Sequence, residues 1–243
     1  MSLLDQILDN PTLTVLPNDH LRPQQPPFSK DGELSLSLPQ LSTIQNEVDS
    51  YILTLTAWAA LVYRLSGDDD IVLYVSNNRV LRFTIQPTWT FEQVYNEISN
   101  NLQQLESLGE VNYDTISETI QQQNDLEKPP RFFCLGVLDG NGSESLTTFK
   151  HHPFDILLNL QTTDNILTIK FNALLFDVER IQIISDQYTQ LLNAALSNQS
   201  DVITKVTLIT ENSKDILPDP TRNLDWPGFV GCIHDIFQDN ADK

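Results

Sequence analysis

Residues 53–79, LTLTAWAALVYRLSGDDDIVLYVSNNR, contain a complete passage from helix to strand. Extended back to Glu47, the apolar residues Val48, Tyr51, Ile52, Leu55, Trp58, Ala59, Val62 and Leu65 recur at three- and four-residue spacing, which predicts a helix with one buried face. Gly67 follows as the expected stop, because glycine enters the left-handed region without steric cost. Asp68, Asp69 and Asp70 then lead into Ile71–Val75, a continuous apolar run. A strand that is apolar on both faces belongs inside a covered sheet, so this stretch predicts an α/β fold.

Working outward, residues 1–33 are rich in proline and polar side chains and carry no period, as expected of an extended arm lying on a surface. Residues 33–39 alternate as a short strand, and residues 79–85 alternate as a neighbour of the buried one. Thr90 and Gln93 form a capping box that opens a helix whose stripe is Phe91, Val94, Ile98, Leu102 and Leu105. A weaker helix is predicted over residues 114–123. RFFCLGV (131–137), FDILLNLQ (154–161) and ILTIKFNALL (166–175) predict three strands, the last two joined as a hairpin through residues 162–165. Asp177 is expected to cap a helix over 178–196 that buries Ile181, Ile184, Tyr188, Leu191, Leu192 and Ala195. ITKVTLIT (203–210) is expected as a last strand closing the core. Residues 211–231 carry three prolines and read as a linker, and CIHDIFQDNADK starts an amphipathic helix, as at a boundary inside a larger protein.

The chain has 33 acidic and 14 basic residues, a net charge of -19. That field repels phosphate backbones and anionic lipid, which argues against nucleic-acid and membrane-surface binding and leaves a separate basic partner protein as one option. No apolar run approaches the ~20 residues of a spanning helix, and the N-terminus lacks a signal-peptide pattern. Cys134 and Cys232 form neither a disulfide framework nor a metal pair, consistent with a reducing, cytoplasmic setting. In FKHHPFD (149–155), His151 and His152 are adjacent, and adjacent strand residues point to opposite faces. The motif therefore reads as the entry to a strand and not as a base or a metal half-site. Asp68–Asp70 lacks the alternate spacing of a calcium loop and reads as a solvated turn. There is no phosphate loop and no nucleophile elbow, and Cys134 lies in an apolar strand where a thiol is inert. No catalytic, cofactor-binding or metal-ligating residue is expected.

Residues 53–79 resemble the start of the second lobe of nonribosomal peptide synthetase condensation domains, where a tryptophan-bearing helix runs into a Gly-x-Asp-Asp turn and a buried strand. PTWTFEQVYNEISNNL (87–102) resembles the helix that follows, and residues 175–210 resemble the end of that lobe. DWPGFVGCIHDIFQDNADK (225–243) is similar to the linker and first helix of an adenylation domain. Together with the arm DNPTLTVLPNDHLRPQQ (9–25), the whole chain resembles the N-terminal region of the fungal L-2-aminoadipate reductase family.

The resemblance implies one lobe of the chloramphenicol-acetyltransferase type, an α+β two-layer sandwich in which helices pack on a mixed sheet. It implies an arm at 1–33, the condensation-like lobe at 34–210, and a linker with the first helix of a truncated adenylation domain at 211–243. The parent of such a segment reduces 2-aminoadipate to its semialdehyde with ATP, phosphopantetheine and NADPH, its carrier domain being loaded by a phosphopantetheinyl transferase. The segment itself is then a non-catalytic module for the adenylation domain of the same chain, with Trp226, Val230, Ile233 and Phe237 as interdomain contacts. Two departures bear on this: Tyr74 stands where the family has a small glycine, and HHPFD lacks the spacing and glycine of the family's His-His-x-x-x-Asp-Gly base motif, which belongs to the other lobe. The alternative is an acyltransferase-like lobe active only as an oligomer, with His151 or His152 as base.

Overall fold

The computed structural model describes residues 9, 11–12, 14–44, 46–76, 79–108, 135–140 and 154–214. Helix α1 (Glu47–Ser66) begins at Asn46, whose side chain accepts the Val48 N–H, and ends at Gly67 with φ 78. Both caps follow from residue type: asparagine satisfies an orphan amide, and glycine takes the left-handed turn. The middle of α1 departs from the one-faced helix that the spacing predicts. Leu53, Thr54, Thr56, Ala57, Ala60 and Leu61 are buried together with the expected face, whereas Val48 is exposed. A helix apolar all round has to be buried all round, and α1 meets this by packing between α2 (Phe91–Leu108) and α3 (Val178–Ser197).

The sheet comprises β1 (Asp31–Ser37), β2 (Asp70–Val75), β3 (Arg79–Thr84), β4 (Leu135–Asp139), β5 (Ile156–Gln161) and β6 (Ile166–Asn172). Its order is β1-β6-β5-β4-β2-β3, with β2, β4 and β5 mutually parallel and the other pairs antiparallel. Register places Val75, Val137, Leu158, Ile169 and Leu34 in one row across the sheet. The next row, on the opposite face, is Tyr74, Gly136, Leu157, Lys170 and Glu33. Helix α3 touches β1, whose half-buried residues are Gly32, Leu34 and Leu36, so the helices cover the wholly apolar face. The second face grades from apolar at β2 to charged at β1. The fold is the expected two-layer α/β arrangement with a mixed sheet.

The capping box forms as expected, with Thr90 N–H donating to Gln93 Oε1 at 2.9 Å and Gln93 N–H to Thr90 Oγ1 at 3.3 Å. The β5–β6 hairpin forms too, with Asn165 at φ 52 in its turn. Residues 203–210, expected as a closing strand, are not one. Val202 makes an isolated bridge to Thr90, and the chain then lies along the helices. Its carbonyls are taken by side chains: Arg64 donates to Ile203 O and Val206 O, Gln190 to Thr207 O, and Gln187 to Leu208 O. Acceptors satisfied in this way need no ladder partner. Asp177 occupies the cap position of α3 as expected, but its carboxylate bonds no helix amide. The predicted helix at 114–123 lies outside the described residues.

The chain divides into two compact units, Met1–Thr210 and Glu211–Lys243. In the second, the described residues form one short helix, α4 (Glu211–Lys214).

Gly32 is required by its partner in register. A Cβ there would lie 2.4 Å from Phe171 Cζ, inside a buried ring. Gly32→Ala should cost about 1–3 kcal/mol of stability in urea unfolding, while Ser35→Ala on the exposed face should stay within about 0.5 kcal/mol.

Candidate functional site

The N-terminal arm is built into the lobe through polar side chains. Thr12 N–H donates to Asp70 Oδ2 at 3.0 Å, and the same carboxylate takes Arg82 Nε and Nη2 at 2.8 and 2.9 Å. Partial burial would raise the Asp70 carboxyl, but Arg82 and the Thr12 amide outweigh it and hold it low. Arg82 also donates to Asp9 O, and Leu16 is buried. Further along, Asp19 N–H and His20 N–H both donate to Leu175 O. The Asp19 carboxylate accepts Asp177 N–H and Arg180 Nε, each at 3.0 Å, and these outweigh its partial burial to keep its pKa low. His20 Nε2 lies 2.8 Å from Asp177 Oδ1. Arg22 grips Asp155 with both terminal nitrogens. Finally Asn172 accepts Lys30 N–H and Leu174 N–H and donates to Phe28 O.

These anchors share one end of the sheet. Asp70 opens β2, Asp155 immediately precedes β5, and Asn172 closes the antiparallel β6. The arm therefore runs across the amino end of the parallel strands before it becomes the edge strand β1. Open α/β sheets bind ligands at the opposite, carboxyl end. There, among the described residues, β2 and β4 pair at Tyr74–Gly136 and Val75–Val137, and side chains add further ties. Tyr51 O–H donates to Val137 O at 3.0 Å, and Asp139 N–H donates to Ser76 Oγ at 2.6 Å. On the sheet's second face Tyr74 is buried against Phe154, ring centroids 5.3 Å apart, directly beside Gly136. A Cβ on Gly136 would come within 3.3 Å of Tyr74 Cβ and 2.8 Å of Leu157 Cδ1, so this row is already filled.

Of FKHHPFD, only Phe154 and Asp155 are described; Phe154 packs on Tyr74 and Asp155 is held by Arg22. His151 and His152 lie outside the described residues, as do Cys134, Cys232, Trp226, Val230, Ile233 and Phe237. Of the three aspartates, Asp70 is paired with Arg82. Among the described residues no three His, Cys, Asp or Glu side chains are grouped to hold a metal ion, and no helix is long and apolar enough to cross a membrane. The arrangement is one of packing and ion pairing. Its clasp residues Asp19, His20 and Arg22 escape sequence reasoning because their partners lie 133–161 positions away. The proline-rich arm signals an extended path but not its anchors.

No protein-family model matches the chain. Over 97% of its length it is 53% identical to the L-2-aminoadipate reductase of Saccharomyces cerevisiae. The chain resembles a segment of the fungal L-2-aminoadipate reductases. It spans 17% of the length of that reductase. Among solved structures, a four-domain nonribosomal peptide synthetase bound to AMP and glycine matches with TM-score 0.66 and 12% identity, over 87% of this chain and 20% of its own. The starter condensation domain of rhizomide synthetase, in complex with C8-CoA and Leu-SNAC, matches with TM-score 0.62 and 15% identity, over 84% of this chain and 53% of its own. At such identities the likeness is one of fold: a condensation-domain lobe with its mixed sheet and packed helices.

Two tests follow from the clasp. Arg22→Ala leaves the buried Asp155 carboxylate without its cation. The expected loss in denaturant unfolding is about 1–3 kcal/mol, below the ~3–5 kcal/mol of a fully buried pair, because the Arg22 side chain is 33% exposed. The hydrogen bond and charge of Asp177 raise the pKa of His20 above its ordinary 6.5. A raised folded-state pKa adds stability that is complete below 6.5 and lost as pH climbs through the raised value. Stability-versus-pH curves of the wild type and His20→Gln should therefore converge at alkaline pH and separate towards acid, and NMR titration should place His20 above the ordinary value.

Proposed function

We propose that this chain is a non-catalytic, condensation-like lobe of an L-2-aminoadipate reductase, acting as a structural and interaction module for an adenylation domain of the same polypeptide. The observation that carries the reading is the filled second face. Tyr74 and Phe154 pack beside Gly136 where a substrate passage would need space, and Asp155, the one acid of FKHHPFD, serves an arm-to-lobe ion pair. The likeness to the yeast reductase over nearly the whole chain supports the reading of the parent. On this reading the parent reduces 2-aminoadipate to its semialdehyde in the cytoplasm. ATP, phosphopantetheine and NADPH bind in its other domains, and a phosphopantetheinyl transferase loads the carrier. Residues 1–33 are the arm, 34–210 the lobe, and 211–243 the linker and opening helix of the adenylation domain, with Trp226, Val230, Ile233 and Phe237 as contacts.

Removal of residues 1–210 from the full-length reductase provides the test. Soluble yield or aminoadipate-dependent adenylation should fall, and an enzyme with unchanged solubility and turnover would overturn the proposal. Transfer of acyl groups from thioester donors by the intact chain, lost in His151→Ala or His152→Ala, would replace it with the acyltransferase reading.

A further inference from the structure

The seam between α1 and α3 contains three polar side chains that the fold buries without pairing. Thr54, Trp58 and Tyr188 are each fully shielded from solvent, at 0% exposure. Thr54 and Trp58 stand four residues apart and so share one side of α1. Tyr188 of α3 meets Trp58 edge-on, with ring centroids 6.4 Å apart and planes at 64°. Thr54 Oγ1, Trp58 Nε1 and Tyr188 Oη have no hydrogen-bond partner within 3.5 Å among the described residues.

Neighbouring hydroxyls show that this is a local choice. Thr56 Oγ1 donates to Ile52 O at 2.8 Å, and Thr189 Oγ1 donates to Ser185 O at 2.9 Å, the usual back-bond of a helical threonine. Ser185, also buried in α3, donates to Gln182 O. Thr54 forgoes that bond; burial pushes the Tyr188 phenol up and keeps it protonated, an effect the Thr54 hydroxyl only partly opposes. The seam thus gathers one obligate donor, the indole N–H, and two hydroxyls able to donate or accept. Buried polar groups in folded proteins are almost always satisfied, and where protein atoms do not reach, ordered water does.

We infer that the α1–α3 seam is a binding site for one internal water molecule, held by Thr54, Trp58 and Tyr188. The donor and acceptor count closes around a single water. It accepts from the Trp58 N–H and from the Tyr188 O–H, and donates to Thr54 Oγ1. A direct Thr54–Tyr188 bond would satisfy the two hydroxyls but leave the indole to share one of their oxygens. Water serves all three without charge, which suits a seam fully shielded from solvent. Its role is to fix the rotation of α3 against α1, because three directed bonds hold one angle where apolar contacts alone tolerate several.

The experiment is a pair of crystal structures of the 243-residue chain, wild type and Thr54→Val/Tyr188→Phe, at a resolution that shows ordered water. The expected result is a water peak within about 2.7–3.2 Å of at least two of the three atoms in the wild type, and none in the variant. A dry wild-type seam, with Thr54 bonded directly to Tyr188, would overturn the inference. So would a peak that persists unmoved in the variant, since other groups would then be holding it. If the variant fails to fold, the wild-type structure alone decides.

Discussion

The lobe is organised around the burial of α1. From Ile52 to Val62 every residue of this helix is buried, so it can exist only with neighbours on every side. The apolar face of the sheet supplies one wall, α2 and α3 supply two more, and the chain after α3 is drawn over the helices by Arg64, Gln187 and Gln190. Each contributing element is itself one-sided: α2 buries Phe91, Val94 and Ile98, and α3 buries Ile181, Tyr188, Leu191 and Leu192. Removing α1 would leave three apolar faces without a common partner. This dependence accounts for the contiguous core that, among the described residues, runs from β3 towards β1.

The second constraint is the closure of one sheet end by the arm. A proline-rich segment cannot supply a regular ladder, so it is held by discrete polar anchors: Asp70 with Arg82, Asp19 with Arg180, Arg22 with Asp155, and the amide of Asn172. Among the described residues, every one of these ties joins segments distant in sequence or sets the start or end of a strand. At the carboxyl end the ties are side-chain bonds to β4, from Tyr51 to Val137 O and from Asp139 N–H to Ser76 Oγ. The lobe is thus closed at one end by the arm and filled on its second face beside Gly136 by Tyr74.

Sequence reasoning did well wherever the determinants were local. The helix stop at Gly67, the Thr90–Gln93 box, the β5–β6 hairpin and the strand starting at Arg79 rest on residues within a few positions of one another. It erred at 203–210, where alternating apolar residues look like a strand but the carbonyls are claimed by helix side chains. It also missed that the Asp177 carboxylate serves His20 in place of its own helix, because competition for a carboxylate is settled by whatever lies nearby in space. Reading α1 as one-sided failed for a related reason. Its alanines and threonines look neutral in a pattern, and only the approach of α2 and α3 shows that they are buried.

By itself, the sequence determined most of the element types and boundaries among the described residues and the α/β class, since these depend on backbone preference and on short-range periodicity. Tertiary structure alone decided the strand order, the path of the arm and the partner of every charged group in the clasp. It also decided that Tyr74 fills the face beside Gly136 and that Thr54, Trp58 and Tyr188 meet in one seam. Such outcomes depend on which distant surfaces come into contact, and no local pattern encodes the distance between residues 22 and 155.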